Sequence, residues 1–185
     1  EYKKWFAEYG YSPSKEDMKI IKSDFDFFGV NFYRGFYVEN TDDGMKKIFF
    51  TPNDKITAMN WPVTPEGVEY LVKYYYERYG LPILFAENGV AITEWKTLDG
   101  VIPDDMRIDY IRRHLTEIKK VAEKYPVTGY FYWSFIDNFE WTAGYTKRFG
   151  LVYVDYETLE RTPKKSAYWY KKVIETNGED LSSNG

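Results

Sequence analysis

The sequence predicts an α/β chain built on a parallel sheet, and two observations carry that reading. Apolar runs rich in strand formers alternate with helical stretches: residues 25–33, 83–86 and 127–135 are separated by helices over 64–79 and from 104 or 105 to about 124. Second, Glu87 directly follows one of these runs and is itself followed by Asn88-Gly89. Asn and Gly tolerate φ > 0, so the pair is expected to break the strand sharply. A carboxylate then stands at the C-terminal tip of a rigid element, which is where chemistry sits in barrels of alternating strands and helices. Taken alone, Asn-Gly reads more simply as an ordinary surface turn; the residues downstream decide between the two.

Each element has its own signal. Residues 1–13 are an aromatic lead-in, irregular or helical. Ser14 caps a helix with Asp17 three residues on, and Met18, Ile20 and Ile21 are its apolar positions. Residues 25–33 (Phe-Asp-Phe-Phe-Gly-Val-Asn-Phe-Tyr) read as a strand. A polar stretch, 34–63, holds a hairpin signal at Asp42-Asp43-Gly44. Thr64 as cap, Pro65 at the first helical position and Gly80 as stop frame the next helix. After the strand 83–86, a loop over 93–100 leads to Asp104 or Asp105 as a cap. The helix that follows places Ile108, Ile111, Leu115, Ile118 and Ala122 on one face. His114 falls off that stripe and is expected to be solvated. Residues 127–135 form a third strand and 151–155 a short one, followed by a turn over 157–161. Pro163 opens a last helix, 164–175, and the polar tail 177–185 is expected to fray.

Composition narrows the function. The formal charge of −4 argues against a nucleic-acid or membrane-surface partner. No apolar run approaches the ~20 residues of a membrane span. The stretch 1–6 lacks a signal-peptide core, which points to the cytoplasm if no leader precedes it. With no Cys and one His, disulfides, thiolate metal sites and His clusters are excluded. The outlier is aromatic content: 19 Tyr, 13 Phe and 6 Trp. Core packing accounts for most of them, but not for aromatics placed beside carboxylates at strand ends, where flat rings suit sugars.

Five motifs in register sharpen this. They are Asp26-Phe27-Phe28-Gly29-Val30-Asn31-Phe32-Tyr33, Ala86-Glu87-Asn88-Gly89, Trp133-Ser134-Phe135-Ile136-Asp137-Asn138-Phe139-Glu140-Trp141, Gly144-Tyr145-Thr146-Lys147-Arg148-Phe149-Gly150-Leu151, and Arg161-Thr162-Pro163-Lys164-Lys165-Ser166-Ala167. In that order and spacing the chain resembles the C-terminal portion of glycoside hydrolase family 1, the β-glucosidase-like enzymes, over about residues 15–175. The resemblance implies a (β/α)8 barrel of which this chain is about strands 6–8, incomplete on its own. It implies a retaining mechanism with two carboxylates about 5–5.5 Å apart. By position Glu87 resembles the nucleophile, Tyr33 the tyrosine that hydrogen-bonds and orients it, and Asn31 the neighbouring active-site asparagine. Trp133 and Trp141 resemble the sugar platform, Glu140 the carboxylate that holds the sugar 4- and 6-hydroxyls, Phe149 an aromatic wall at that end, and Trp61 the aromatic residue beside the leaving group. No cofactor and no metal are implied.

Departures from the pattern matter too. Ala86 stands where the family usually has Thr, and Phe32 where Tyr is common. The Asn-Glu-Pro motif that carries the acid/base is absent, as are the upstream His-Trp pair and Gln. A barrel of this kind also takes ~250 residues, more than the 185 here. The chain is therefore expected to be inactive alone and to need either a complementary stretch carrying strands 1–5 or a second copy of itself. Members acting on 6-phosphorylated sugars typically carry Ser at the Glu140 position, with Lys and Tyr at those of Lys147 and Phe149; only Lys147 matches. Unphosphorylated β-glucosides, with β-galactosides or β-fucosides tolerated, are the expected substrates. The competing reading is a non-catalytic carbohydrate-binding or structural half-barrel.

Overall fold

The computed structural model describes residues 2–10, 12–48, 51 and 53–181. Its centre is a three-stranded parallel sheet of β1 (Phe28–Asn31), β4 (Ile83–Asn88) and β5 (Val127–Tyr132), in the order β1-β4-β5. Phe28 pairs with Ile83 and Val30 with Phe85; Leu84 pairs with Gly129 and Phe85 with Tyr130. The predicted strand 25–33 enters the ladder only over β1, with one further bond from Phe32 N to Glu87 O at 2.8 Å. Phe25 and Phe27 remain exposed ahead of it.

Helices cover one face of this sheet. α3 (Gly67–Tyr79) and α4 (Asp105–Ala122) pack together, and α5 (Lys165–Glu175) packs on α4. Val30, Phe85, Val72, Ile111 and Trp169 form the centre of the core beneath them. The opposite face, with Gly29, Ala86 and Phe131, is uncovered, and β1 and β5 each pair on one side only among the described residues. A short helix α1 (Tyr2–Glu8) and α2 (Lys15–Ile21) precede the sheet. Ser14 and Asp17 make the predicted reciprocal cap, yet Met18, Ile20 and Ile21 are exposed, and no residue of α2 is buried against the other described residues. The predicted hairpin is present as β2 (Val38–Thr41) and β3 (Gly44–Lys47).

Several predicted details change, each for a physical reason. Gly80 ends α3 in the left-handed region at φ 66° as expected. Thr64 does not cap that helix; its Oγ1 instead accepts from Gly35 N at 2.6 Å. Asp104 makes no cap bond either, because its carboxylate is taken by Arg107 and Ser166. On α4 the buried face is wider than the apolar stripe: Arg107, Tyr110 and His114 are on it, and Val121 rather than Ala122. The predicted turn over 157–161 leads into an additional strand, β7 (Arg161–Pro163), antiparallel to β6 (Val152–Val154). Residues 177–181 are tied down rather than frayed, with Gly178 N on Val173 O at 2.8 Å and Lys119 Nζ on Gly178 O at 2.8 Å. The rest of the tail, 182–185, lies outside the described residues.

Candidate active site

The predicted residues converge at the C-terminal rim of the sheet. Asn31 lies beside Glu87 in the β1–β4 ladder and is exposed. Tyr33, two residues past the end of β1, donates its hydroxyl to Glu87 Oε2 at 2.6 Å. That bond, together with burial, pushes the Tyr33 phenol far above its ordinary value, with burial the larger cause. The phenol is therefore a fixed donor, and one carboxylate oxygen is tied to it while the residue stays half-open. On the other side, Trp133 follows β5, and its Nε1 reaches Glu140 Oε2 at 3.4 Å. Glu140 lies near enough to act on the Tyr33 phenol electrostatically.

The flanking aromatics divide. Trp61 leans on Tyr33 with ring centroids 5.5 Å apart. Phe149 meets Tyr33 edge-on at 6.0 Å and Trp61 at 6.3 Å, but it is buried, at 2% exposure. It therefore supports the other two rings from behind and offers no open wall, contrary to the expectation. Trp141 follows Glu140 directly and stands open, 77% exposed. Lys147 is spent on a backbone contact, Nζ to Ala58 O at 2.7 Å.

The Asn88-Gly89 pair does something other than turn. Neither residue has a positive φ, and Asn88 is the last residue of β4. Asn88 is 1% exposed; its amide donates to Phe32 O at 2.7 Å and to the Tyr110 hydroxyl at 3.1 Å, and its Oδ1 accepts from Tyr130 at 2.7 Å. Tyr110 in turn donates to Tyr33 O at 3.0 Å. These bonds fasten the end of β1 to the end of β4, and so set Tyr33 against Glu87. Gly89 is needed because the Trp133 carbonyl passes where a Cβ would stand.

Two further groups depart from what the sequence indicates. His114 is fully buried, not solvated. Its Nδ1 lies 2.8 Å from Tyr110 O and its ring 4.0 Å from the Tyr110 ring, while Nε2 has no partner. Burial pushes it down to about 4. The second group is a charge network with almost no solvent contact. Arg107 grips Glu94 with both terminal nitrogens, at 2.9 and 3.2 Å, and Asp104 at 2.5 Å. Lys164 pairs with Glu94 and Asp137, and Arg148 with Asp137 at 2.6 Å. Asp137 also accepts from Gly150 N at 2.9 Å, which anchors the loop bearing Glu140 at both ends. Only the type of these residues, not their burial, is visible in the sequence, because their partners lie up to 70 residues away.

Comparison with known proteins identifies the family. Glycosyl hydrolase family 1 matches residues 3–179. Beta-glucosidase A of Thermotoga maritima is 43% identical over 167 residues, covering 89% of this chain and 37% of its own length. Beta-glucosidase A of Acetivibrio thermocellus is 37% identical, with 89% and 38% covered. Among solved structures, the beta-glucosidase from Thermotoga maritima in complex with glucoimidazole superposes with a TM-score of 0.81 at 40% identity, covering 90% of this chain and 38% of that one. The chain thus spans little more than a third of the length of these relatives, and its fold corresponds to part of the (β/α)8 barrels of the solved neighbours. On the match over residues 3–179, the chain belongs to glycosyl hydrolase family 1.

Proposed function

We propose that this chain carries the nucleophile and half of the sugar-binding site of a retaining β-glucosidase. The observation that carries the reading is the Tyr33–Glu87 bond of 2.6 Å at the strand tips, with the Trp133–Glu140 pair on the adjoining strand end. Glu87 Oε1, the oxygen not held by Tyr33, attacks the anomeric carbon as the leaving-group oxygen departs with a proton from an acid supplied by another stretch of chain. A glycosyl ester on Glu87 results, and water activated by the same acid/base hydrolyses it. Glu140 accepts hydrogen bonds from sugar hydroxyls beside the Trp133 ring. A carboxylate there disfavours a phosphorylated sugar, which supports unphosphorylated β-glucosides, with β-galactosides or β-fucosides tolerated.

The missing acid/base motif and the two sheet edges left unpaired among the described residues support a partner: a complement bearing the remaining strands, or a second copy. A matched share of 37% fits either end of a relative equally. The order of the motifs favours the late units, since the strand carrying Asn-Glu-Pro precedes the nucleophile strand in the family. Mixing the chain with separately produced upstream or downstream stretches tests this; activity restored only by a downstream stretch would reverse the placement.

The chemistry is tested on the active assembly with a 2-deoxy-2-fluoro-glucoside bearing a good leaving group. The expected product is an ester on Glu87, found by peptide mapping. A label on Glu140 or elsewhere refutes the assignment, and sugar binding with no label and no turnover favours a binding module.

A further inference from the structure

We infer that Arg34, held between Phe36 and Trp61, forms an anion subsite on the leaving-group side of Glu87 and selects glycosides whose leaving group is an aromatic ring bearing a carboxylate. The inference rests on the glycosidase reading for which end of the site is which. β4 is the central strand, so a ligand bound over Glu87 reaches toward β5 in one direction and β1 in the other. Trp133 and Glu140 occupy the β5 side. The sugar is assigned there, and the leaving group therefore points to the β1 side, where Trp61 leans on Tyr33.

Arg34 sits one side chain beyond. Its guanidinium carbon lies 4.7 Å from the Phe36 ring centroid and 4.7 Å from that of Trp61. A guanidinium placed over rings keeps its N–H donors in its own plane, a fork that matches a carboxylate. Among the described residues no carboxylate pairs with Arg34. Lys47 lies over the same Phe36 ring, Nζ 3.3 Å from its centroid, and it too has no carboxylate partner there. Nearby acids are otherwise placed: Glu66 accepts from the Tyr37 hydroxyl, and Glu39 faces Lys46 across the hairpin. Two like charges are thus gathered on one ring in a chain with 29 acidic and 25 basic residues. An anion forked on Arg34 brings negative charge to a ring that carries two cations, and the aromatic ring behind it continues the Trp61 surface.

The test has a binding arm and a turnover arm. In the binding arm the chain, with its complement if it needs one, is titrated with 4-hydroxybenzoate and, separately, with neutral 4-hydroxybenzamide. Binding is followed by the Arg34 Nε–H and Trp61 indole NMR signals. The benzoate is expected to bind about tenfold more tightly than the benzamide, and R34Q to remove that preference, as for loss of one charge-assisted contact. R34K, which keeps the charge and loses the fork, should retain part of it. In the turnover arm, the ratio of kcat/KM for 4-carboxyphenyl over 4-carbamoylphenyl β-glucoside should fall by a similar factor in R34Q, while phenyl β-glucoside hydrolysis holds. Equal binding of the two probes, or a ratio that R34Q leaves unchanged, overturns the subsite. Selective binding lost in R34Q with no glucoside turned over keeps the subsite and defeats the glycosidase reading instead.

Discussion

Replacing Gly89 with alanine tests how the candidate site is held. An alanine Cβ would stand 1.8 Å from the Trp133 carbonyl oxygen and 2.8 Å from its carbon, where real Cβ contacts essentially never fall below 3.0 Å. Both atoms are backbone, so no side chain can swing away, and β4 and β5 must part by about 1.2 Å to reach that limit. The Trp133 N to Asn88 O bond of 2.9 Å lies at the same spot and would be broken. A lost bond of about 1 kcal/mol and an overpacking cost of about 1–3 kcal/mol give a destabilisation of about 2–4 kcal/mol. No strained φ adds to this, since Gly89 is not in the left-handed region. Gly29→Ala is the control: its nearest neighbours are 3.9 Å away, and a change within about 0.5 kcal/mol is expected. Urea unfolding of the folded species, alone or complemented, reads both by tryptophan fluorescence. In the active assembly, displacing Trp133 and Glu87 by about 1 Å should also lower kcat by roughly a hundredfold. A Gly89→Ala protein within 0.5 kcal/mol of the parent, at the same m-value, would refute the close-approach argument.

Two other perturbations address the buried polar groups. His114 has a folded value of about 4 against an ordinary 6.5, because burial favours the neutral ring. The unfolded chain binds the proton more readily, so stability should fall as pH drops from about 6.5 and level off below about 4. At 1.36 kcal/mol per unit, the full loss is about 3 kcal/mol. His114→Phe should flatten that limb of the stability–pH curve, and an unchanged limb contradicts the reading. Arg107→Met leaves Glu94 and Asp104 buried with one cationic contact fewer, which should cost about 3–5 kcal/mol in urea unfolding; a cost below 1 kcal/mol would mean that the network is solvated.

The parts legible from sequence were those governed by local pattern. Parallel strands showed as apolar runs, the hairpin as Asp42-Asp43-Gly44, and the helix stop as Gly80, because each is decided within a few residues. β7 was hidden because Arg161-Thr162-Pro163 is short, polar and contains proline, and only its pairing with β6 makes it a strand. The buried face of α4 exceeds its apolar stripe for a related reason. Arg107 and His114 are polar by type, yet they are buried because Glu94, Asp104 and the Tyr110 backbone and ring meet them. Periodicity cannot register that compensation, since it depends on which groups the fold brings opposite one another.

Asn88-Gly89 marks the same boundary at the site itself. The sequence places Glu87 at a rigid strand tip, but by way of a left-handed turn that does not exist. What holds the tip is a fully satisfied amide at Asn88 and a bare Cα at Gly89. The amide ties Phe32, Tyr110 and Tyr130 to β4, and the bare Cα lets the Trp133 carbonyl pass. A turn would leave Glu87 on a segment free to hinge. A buried hydrogen-bonded strand end leaves it no such freedom, and places Tyr33, Glu87 and Trp133 on one framework whose parts cannot move separately. That coupling suits the nucleophile role proposed for Glu87, whose reach to the reacting carbon must be set before the substrate arrives.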